Sequence, residues 1–462
     1  MVRGSDAGAS ERHHLTVLGA GPKAVAIAAK RRVLEQLGIG VPELLVIEPR
    51  EIGAHWKGQH GYTDGSLPLG TPPEKDIGFP YASTSFGPEK NSQVNGEMLK
   101  FSWAAFHVLK PGQSYAEWID RGRPNPRHEH WAEYLDWVAS EIDLSVSPCG
   151  VNAIDIADSR WALTLSSGDT VHTDGLVITS PGPPRSDIEV RGESSWIFDG
   201  RDFWLPKTRK RLEERSKNAT DFAACVIGSG ETAAAIVVQL STLLPSSSSI
   251  SVVSREGIIY TRGESFDENR LYSSPEAWRL FPREVREEFV ERTDRGVFSV
   301  TNKSILNRAQ NVETVAGNVK YIDAEEEKLV LELTPGEGSE KFDIVVDATG
   351  FRPNWFIELL TDEAWALIGE GLDESFHHDA RMPIADKKLA KALSQVIGPD
   401  LAVTDLSPPL HLPMLAAMTQ GPGFPNLSCL GLLSDRILER HCTLREGAPA
   451  GTPSAALDGT GP

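Results

Sequence analysis

The alternation of apolar and polar positions contains one long-range echo. His14-Leu-Thr-Val-Leu18 reads as a short apolar strand and runs into Gly19-Ala-Gly21-Pro22-Lys23-Ala24. A helical stretch from Val25 to Gln36 follows, then a second apolar strand, Leu44 to Ile47, which ends on Glu48. Far downstream the same order returns. Ala223 to Ile227 is apolar, Gly228-Ser229-Gly230-Glu231-Thr232-Ala233 turns, a helix runs through Leu240, and Ile250 to Val253 ends at Ser254-Arg255. Each is a strand–turn–helix–strand unit of a parallel sheet.

Between them, Trp131, Tyr134, Leu135, Val138 and Ile142 fall at helical spacing and predict a core-facing helix over Arg127 to Ile142. Two further apolar runs end in glycine-rich exits, Gly175 to Thr179 and Asp343 to Asp347. The expected fold is α/β, with two Rossmann-like dinucleotide-binding domains and a small, mainly helical substrate region. The first domain takes residues 13–188 and 346–442, and the second is inserted as residues 189–345. A disordered leader is expected over 1–12 and a disordered tail over 443–462, both poor in apolar periodicity. The stretch from Trp355 to Ser407 is mixed and gives no clear element, and Leu427 to Arg440 reads as a helix behind a glycine-rich loop.

Composition narrows the partners. The chain has 462 residues, with 46 basic against 65 acidic, a net charge of −19. Such a surface repels phosphate backbones and anionic membranes, so neither nucleic acid nor membrane is an expected partner. No run of 18 apolar residues spans a bilayer, and the first residues lack the apolar core of a secretion signal. Cys149, Cys225, Cys429 and Cys442 form no C-x-x-C pair and read as thiols of a reducing cytoplasm. Composition leaves a homo-oligomer open.

A glycine turn between strand and helix lets backbone approach a pyrophosphate, and the helix N-terminus offers free N–H groups and a positive dipole end. One such turn is as often a plain tight turn as a nucleotide site; two in matching context point to two dinucleotides. At the first, Gly19, Gly21, Pro22 and Lys23 make the turn. Glu48 suits ribose hydroxyls, hence FAD or NAD, unless it is a solvated strand-end charge. At the second, Gly228, Ser229, Gly230, Glu231 and Thr232 make the turn. Ser254, Arg255 and Arg262 suit a 2′-phosphate, hence NADPH, unless the arginines are ordinary surface residues. NADPH reducing a bound FAD is the natural joint chemistry. A disulfide reductase would need a cysteine pair near the flavin, and there is none.

Those turns, with Ala348-Thr-Gly-Phe351, resemble the flavin-dependent N-hydroxylating monooxygenases of siderophore synthesis. Thr71-Pro-Pro-Glu-Lys-Asp-Ile-Gly-Phe-Pro-Tyr81, Trp118-Ile-Asp-Arg-Gly-Arg-Pro124, Arg292-Thr-Asp-Arg-Gly-Val-Phe298 and Thr419-Gln-Gly-Pro-Gly-Phe-Pro-Asn-Leu-Ser-Cys-Leu-Gly-Leu-Leu-Ser-Asp-Arg436 are similar to the mycobactin and nocobactin type of lysine monooxygenase of actinobacteria. The resemblance runs from about residue 14 to 440. It implies that NADPH reduces FAD, that dioxygen forms a flavin C(4a)-hydroperoxide, and that the side-chain amine of L-lysine becomes a hydroxylamine. It implies Lys75 and Asn269 as contacts of the amino acid and Ser434 as a residue near its reacting end; Trp56 and Tyr62 are candidates to pack on the flavin ring. Without it, Lys75 is a surface lysine, Ser434 a helix cap, and the aromatics core residues.

One position departs from the family. In the ornithine enzymes an asparagine contacts the nicotinamide ribose, whereas here Asp294 stands at the matching place. An ionised carboxylate accepts but cannot donate. The expectation is weaker NADP+ retention and more leakage to hydrogen peroxide. Ornithine hydroxylation, flavin oxidation of sulfur or ketones, and a non-catalytic flavoprotein remain as alternatives. One methylene is worth only ~1–3 kcal/mol in a pocket, so residue chemistry does not separate lysine from ornithine.

Overall fold

The computed structural model describes residues 14–443 except 186, 218, 220, 294–295, 326–327, 335–338, 371 and 373–385. The expected leader, most of the expected tail and Asp294 lie outside the described residues.

Both apolar echoes fold as the centres of parallel five-stranded sheets. In the first sheet the order is Leu410–His411, Gly175–Ile178, His14–Leu18, Glu43–Ile47, Val146–Ser147, and every pair is parallel. In the second it is Val312–Ala316, Ser249–Ser254, Ala223–Ile227, Ile344–Asp347, Ile197–Asp199, again all parallel. The middle strand of each is followed by its glycine turn and then a helix, Pro22–Gln36 or Glu231–Leu243. Helices on the faces bury both sides of such strands, which explains their unbroken apolar runs. Leu15, Val17, Ala224 and Val226 are all fully buried.

The two turns share one geometry. The Gly19 N–H donates to the Ile47 carbonyl at 2.8 Å, and the Gly228 N–H donates to the Val253 carbonyl at 2.9 Å. Both glycines have positive φ, +99° and +136°. A Cβ at Gly19 would sit 2.7 Å from the Thr179 hydroxyl, and one at Gly228 would sit 2.5 Å from the Ala348 carbonyl oxygen. The first glycine of each turn is therefore set both by backbone conformation and by the close passage of the neighbouring strand's exit.

Sequence periodicity does not predict two smaller sheets, one wholly antiparallel and one antiparallel except for a parallel edge strand, Glu189–Arg191. One joins Val151–Ala157, Arg160–Leu165 and Thr170–Thr173; the other joins Ser339–Phe342, Leu329–Thr334, Asn318–Ala324 and Glu189–Arg191. The chain passes between the parallel sheets twice, and the two passages pair with each other. The Arg185 N–H donates to Gly350 O at 2.9 Å and the Arg352 N–H to Pro183 O at 3.0 Å. The predicted stripe helix spans His128–Glu141 and buries Trp131, Tyr134, Leu135 and Val138 completely. The last helix, Leu430–His441, starts three residues later than its apolar pattern suggests, because Leu427 to Cys429 continue the loop. No described helix is long and apolar enough to cross a membrane.

Candidate active site

A cavity of about 370 Å³ opens between the two sheets. Its walls come from three stretches far apart in sequence: His55 to Thr71 with His128, Glu231 to Asn302, and the loop Pro425 to Ser428. Trp56 and Tyr62 both line it. Tyr62 stacks on His55 with ring centroids 4.3 Å apart, and Trp56 meets His128 edge-on at 4.8 Å. The two imidazoles were not anticipated from the sequence, where an isolated histidine carries no pattern. Burial pulls His55 down to about 3 and His128 down to about 4, so both stay neutral at pH 7. The Thr63 hydroxyl lies 2.8 Å from His128 Nδ1 and fixes that ring.

The second glycine of each turn tests whether a dinucleotide fits. Gly21 and Gly230 cap their helices in extended conformation, with φ −85° and −91°. A Cβ at either would meet no atom within 4 Å. Neither glycine is demanded by the packing of the chain, and both leave a backbone cradle that a side chain would fill. Together with free helix N–H groups, such cradles suit a pyrophosphate. Glu48 is half-buried beside the first turn and accepts hydrogen bonds from the Arg50 N–H at 3.1 Å and the Ala20 N–H at 3.4 Å.

Several other sequence candidates have internal partners. The Lys23 ammonium donates to the Pro425 carbonyl at 2.8 Å, and burial pulls it down to about 8. Lys23 thus ties the first helix to the C-terminal loop. Glu231 turns away from its own helix terminus and accepts from the Ser299 N–H at 2.6 Å and the Asn302 amide at 2.8 Å. Burial pushes its carboxyl up, against the pull of these donors. Thr232 lines the cavity, and the Ser229 hydroxyl faces Gly296.

Ser254 and Arg255 stay together at the end of their strand, Ser254 buried and Arg255 exposed. The chain turns at Gly257, and Arg262 lines the cavity. Its guanidinium lies 4.4 Å from the Tyr272 ring centroid and donates to the Ser428 hydroxyl at 3.1 Å.

Lys75 and Asn269 meet directly. The Lys75 ammonium donates to Asn269 Oδ1 at 2.8 Å, while Asn269 Nδ2 donates to the Glu264 carbonyl at 2.9 Å. Burial, and then the nearby Arg262 charge, pull Lys75 down to about 8. Ser434 is placed differently. It is fully buried in the second turn of the last helix, with its hydroxyl 3.0 Å from the Leu430 carbonyl and 2.9 Å from that of Gly431. It neither caps that helix nor lines the cavity.

No family model matches the chain. It is similar to the L-lysine N6-monooxygenase MbtG of Mycobacterium tuberculosis, 40% identical over 430 residues, covering 92% of this chain and 94% of that protein. MbtG of Mycolicibacterium paratuberculosis is 39% identical over 433 residues, with the same shares. Among solved structures, the lysine monooxygenase NbtG of Nocardia farcinica, described for an unprecedented NADPH domain conformation, is 36% identical. It matches 95% of this chain and 100% of that one with a TM-score of 0.75. The ornithine N-hydroxylase KtzI of Kutzneria sp. 744 shares the fold at 16% identity and a TM-score of 0.68, covering 92% and 98% of the two chains. With two parallel sheets, two open glycine cradles and 40% identity along almost its whole length to MbtG, the chain belongs to the L-lysine N6-monooxygenase family.

Proposed function

We propose that this protein hydroxylates the side-chain amine of L-lysine, using FAD, NADPH and dioxygen, and that the hydroxylamine goes on to a hydroxamate siderophore. The observation that carries the reading is the Lys75–Asn269 contact, within the field of Arg262 on the wall of a cavity that reaches the second glycine turn at Glu231 and Thr232. In this reading residues 13–188 with 346–442 hold FAD at Gly19, Gly21 and Glu48. Residues 189–345 hold NADPH at Gly228, Gly230, Ser254 and Arg255. The protein works in the cytoplasm. FAD and NADPH, when bound, supply the two-electron reduction and the activation of oxygen.

The chain's own part is binding, placement and exclusion of water. Lys75 and Asn269 hold the head of the amino acid, an ammonium facing a carboxylate. The reacting amine must be neutral. A free lysine ammonium at pKa about 10.4 loses its proton at pH 7 at a cost of roughly 4.6 kcal/mol. A wall of Trp56, Tyr62 and two neutral imidazoles lowers that cost, because desolvation disfavours the ammonium and no imidazolium charge is stored there.

Hydroxylamine formed by the holoenzyme is measured with L-lysine, with L-ornithine and without amine. Product from lysine alone supports the reading. NADPH oxidation that yields only hydrogen peroxide with every amine would sink the substrate assignment. Peroxide released per NADPH at saturating lysine tests the proposed role of Asp294, and near-zero release would overturn it.

A further inference from the structure

Three charged groups gather around the Lys75–Asn269 contact. Lys75 and Arg262 are close enough for the guanidinium to depress the lysine, and Glu264 lies within the field of both. Among the described residues none of the three has an ion-pair partner within 4 Å. Two neighbouring cations, both partly withdrawn from water, repel each other unless an anion joins them. Glu264 stands at the more exposed side of the cluster, and its backbone carbonyl already holds Asn269. Two cations and one carboxylate therefore gather at the Asn269 amide, whose oxygen meets the Lys75 ammonium and whose nitrogen meets the Glu264 backbone. A free α-amino acid presents the complementary pattern, one carboxylate beside one ammonium.

We propose that Arg262 and Glu264 complete the head-group site begun by Lys75 and Asn269. The α-carboxylate lies between Lys75 and Arg262, and the α-ammonium faces Glu264. Arg262 is held in position to do this, since Ser428 fixes one guanidinium nitrogen and Tyr272 supports the plane. Its place on the cavity wall, apart from Ser254 and Arg255, frees it from the 2′-phosphate role suggested by sequence order. The site would thus select free amino acids over diamines and over ω-amino acids, whatever the tail pocket accepts. The inference rests on the proposed lysine hydroxylation and adds the recognition of the substrate's head.

Three probes separate the charges. L-Lysine carries both head groups, 6-aminohexanoate lacks the α-ammonium, and 1,5-diaminopentane lacks the carboxylate. KM for each, KM for NADPH and the rise in unfolding temperature caused by each probe are measured on FAD-loaded wild type, Arg262→Gln and Glu264→Gln. Arg262→Gln should raise KM roughly tenfold or more for lysine and 6-aminohexanoate and leave 1,5-diaminopentane and NADPH nearly unchanged. Glu264→Gln should raise KM for lysine and 1,5-diaminopentane but spare 6-aminohexanoate. Each variant should lose the thermal shift only with the probes that carry the matching charge. Arg262→Lys and Glu264→Asp keep the charges and should recover part of each loss, which a merely misfolded variant would not do.

The proposal is overturned if Arg262→Gln acts on NADPH alone, or if either Gln variant affects all three probes equally. Wild type that gives no hydroxylamine from lysine would instead remove the proposed function. Its thermal shifts with the three probes would still report on the head-group site.

Discussion

Lys30 and Asp435, 405 residues apart, form an ion pair inside the core, with their side chains only 2% and 1% exposed. The Lys30 ammonium also donates to the Gly431 carbonyl at 2.7 Å, and Asp435 accepts from the Thr84 N–H at 3.2 Å. The pair fastens the helix behind the first glycine turn to the last helix of the chain. Removing one member leaves the other charged, buried and unpaired. Lys30→Met or Asp435→Asn should each lower unfolding free energy by about 3–5 kcal/mol, and the double variant Lys30→Met/Asp435→Leu by much less than the sum. Chemical denaturation of the holoenzyme measures this. A single-variant loss below ~1 kcal/mol would mean that the pair is compensated elsewhere.

Asp76, next to Lys75, is 2% exposed and organises the loop that carries it. Its carboxylate accepts from the Tyr81 hydroxyl at 2.7 Å, the Trp103 N–H at 2.8 Å and the Gly78 N–H at 3.1 Å. Burial outweighs these donors and lifts the carboxyl to about 6. A native value above the unfolded one means that the fold favours the protonated form. This group's contribution is thus fully present below about pH 4 and is lost as pH rises through about 6. Comparison with Asp76→Asn, which does not titrate, isolates the effect. The stability of wild type relative to the variant should improve by on the order of 1–3 kcal/mol from pH 7 to pH 5. A pH-independent difference would contradict the assignment.

Gly19 and Gly21 answer different demands, and alanine should separate them. At Gly19 a Cβ meets Thr179 at 2.7 Å and φ is positive, so Gly19→Ala strains the fold itself. At Gly21 the conformation tolerates alanine and nothing lies within 4 Å, so only a bound pyrophosphate would feel the methyl. Gly21→Ala apoprotein should unfold within ~0.5 kcal/mol of wild type, yet retain little FAD after gel filtration. Flavin absorbance per chain decides it; full retention would place the pyrophosphate elsewhere.

These contrasts also show how much was legible in the sequence. The glycine turns were, because strand, turn, helix and strand are adjacent and each leaves a local signature. The helix His128–Glu141 was, because one face of it is apolar at 3.6-residue spacing. The two smaller sheets were not, since short strands such as Thr170–Thr173 offer too few positions to establish a period. The cavity wall was only partly legible. His55 and His128 gain their places on it from neighbours that folding brings from other elements, and no spacing announces that. The bond from Arg262 to Ser428 joins residues 166 positions apart, which no local pattern announces. The resemblance places Ser434 near the reacting end of the substrate, and its hydroxyl is bonded within its own helix.

The division of labour between the two arginines gives a last prediction. Arg255 is exposed directly after the strand Ser249–Ser254, where a ribose carrying a 2′-phosphate would lie beyond the second glycine turn. Ser254 beside it is buried, and its hydroxyl accepts from the Gly257 N–H at 3.1 Å, which fixes the bend that presents Arg255. A guanidinium there gains charge-assisted hydrogen bonds from NADPH that NADH cannot offer. Replacing it by a carboxylate removes that gain and adds repulsion. Arg255→Glu should raise KM for NADPH about tenfold or more and leave KM for NADH almost unchanged, with KM for L-lysine unaffected. Steady-state NAD(P)H oxidation by the FAD-loaded protein reads both ratios. If Arg255→Glu keeps its preference for NADPH while Arg262→Gln loses it, the two arginines have exchanged the roles assigned by their positions.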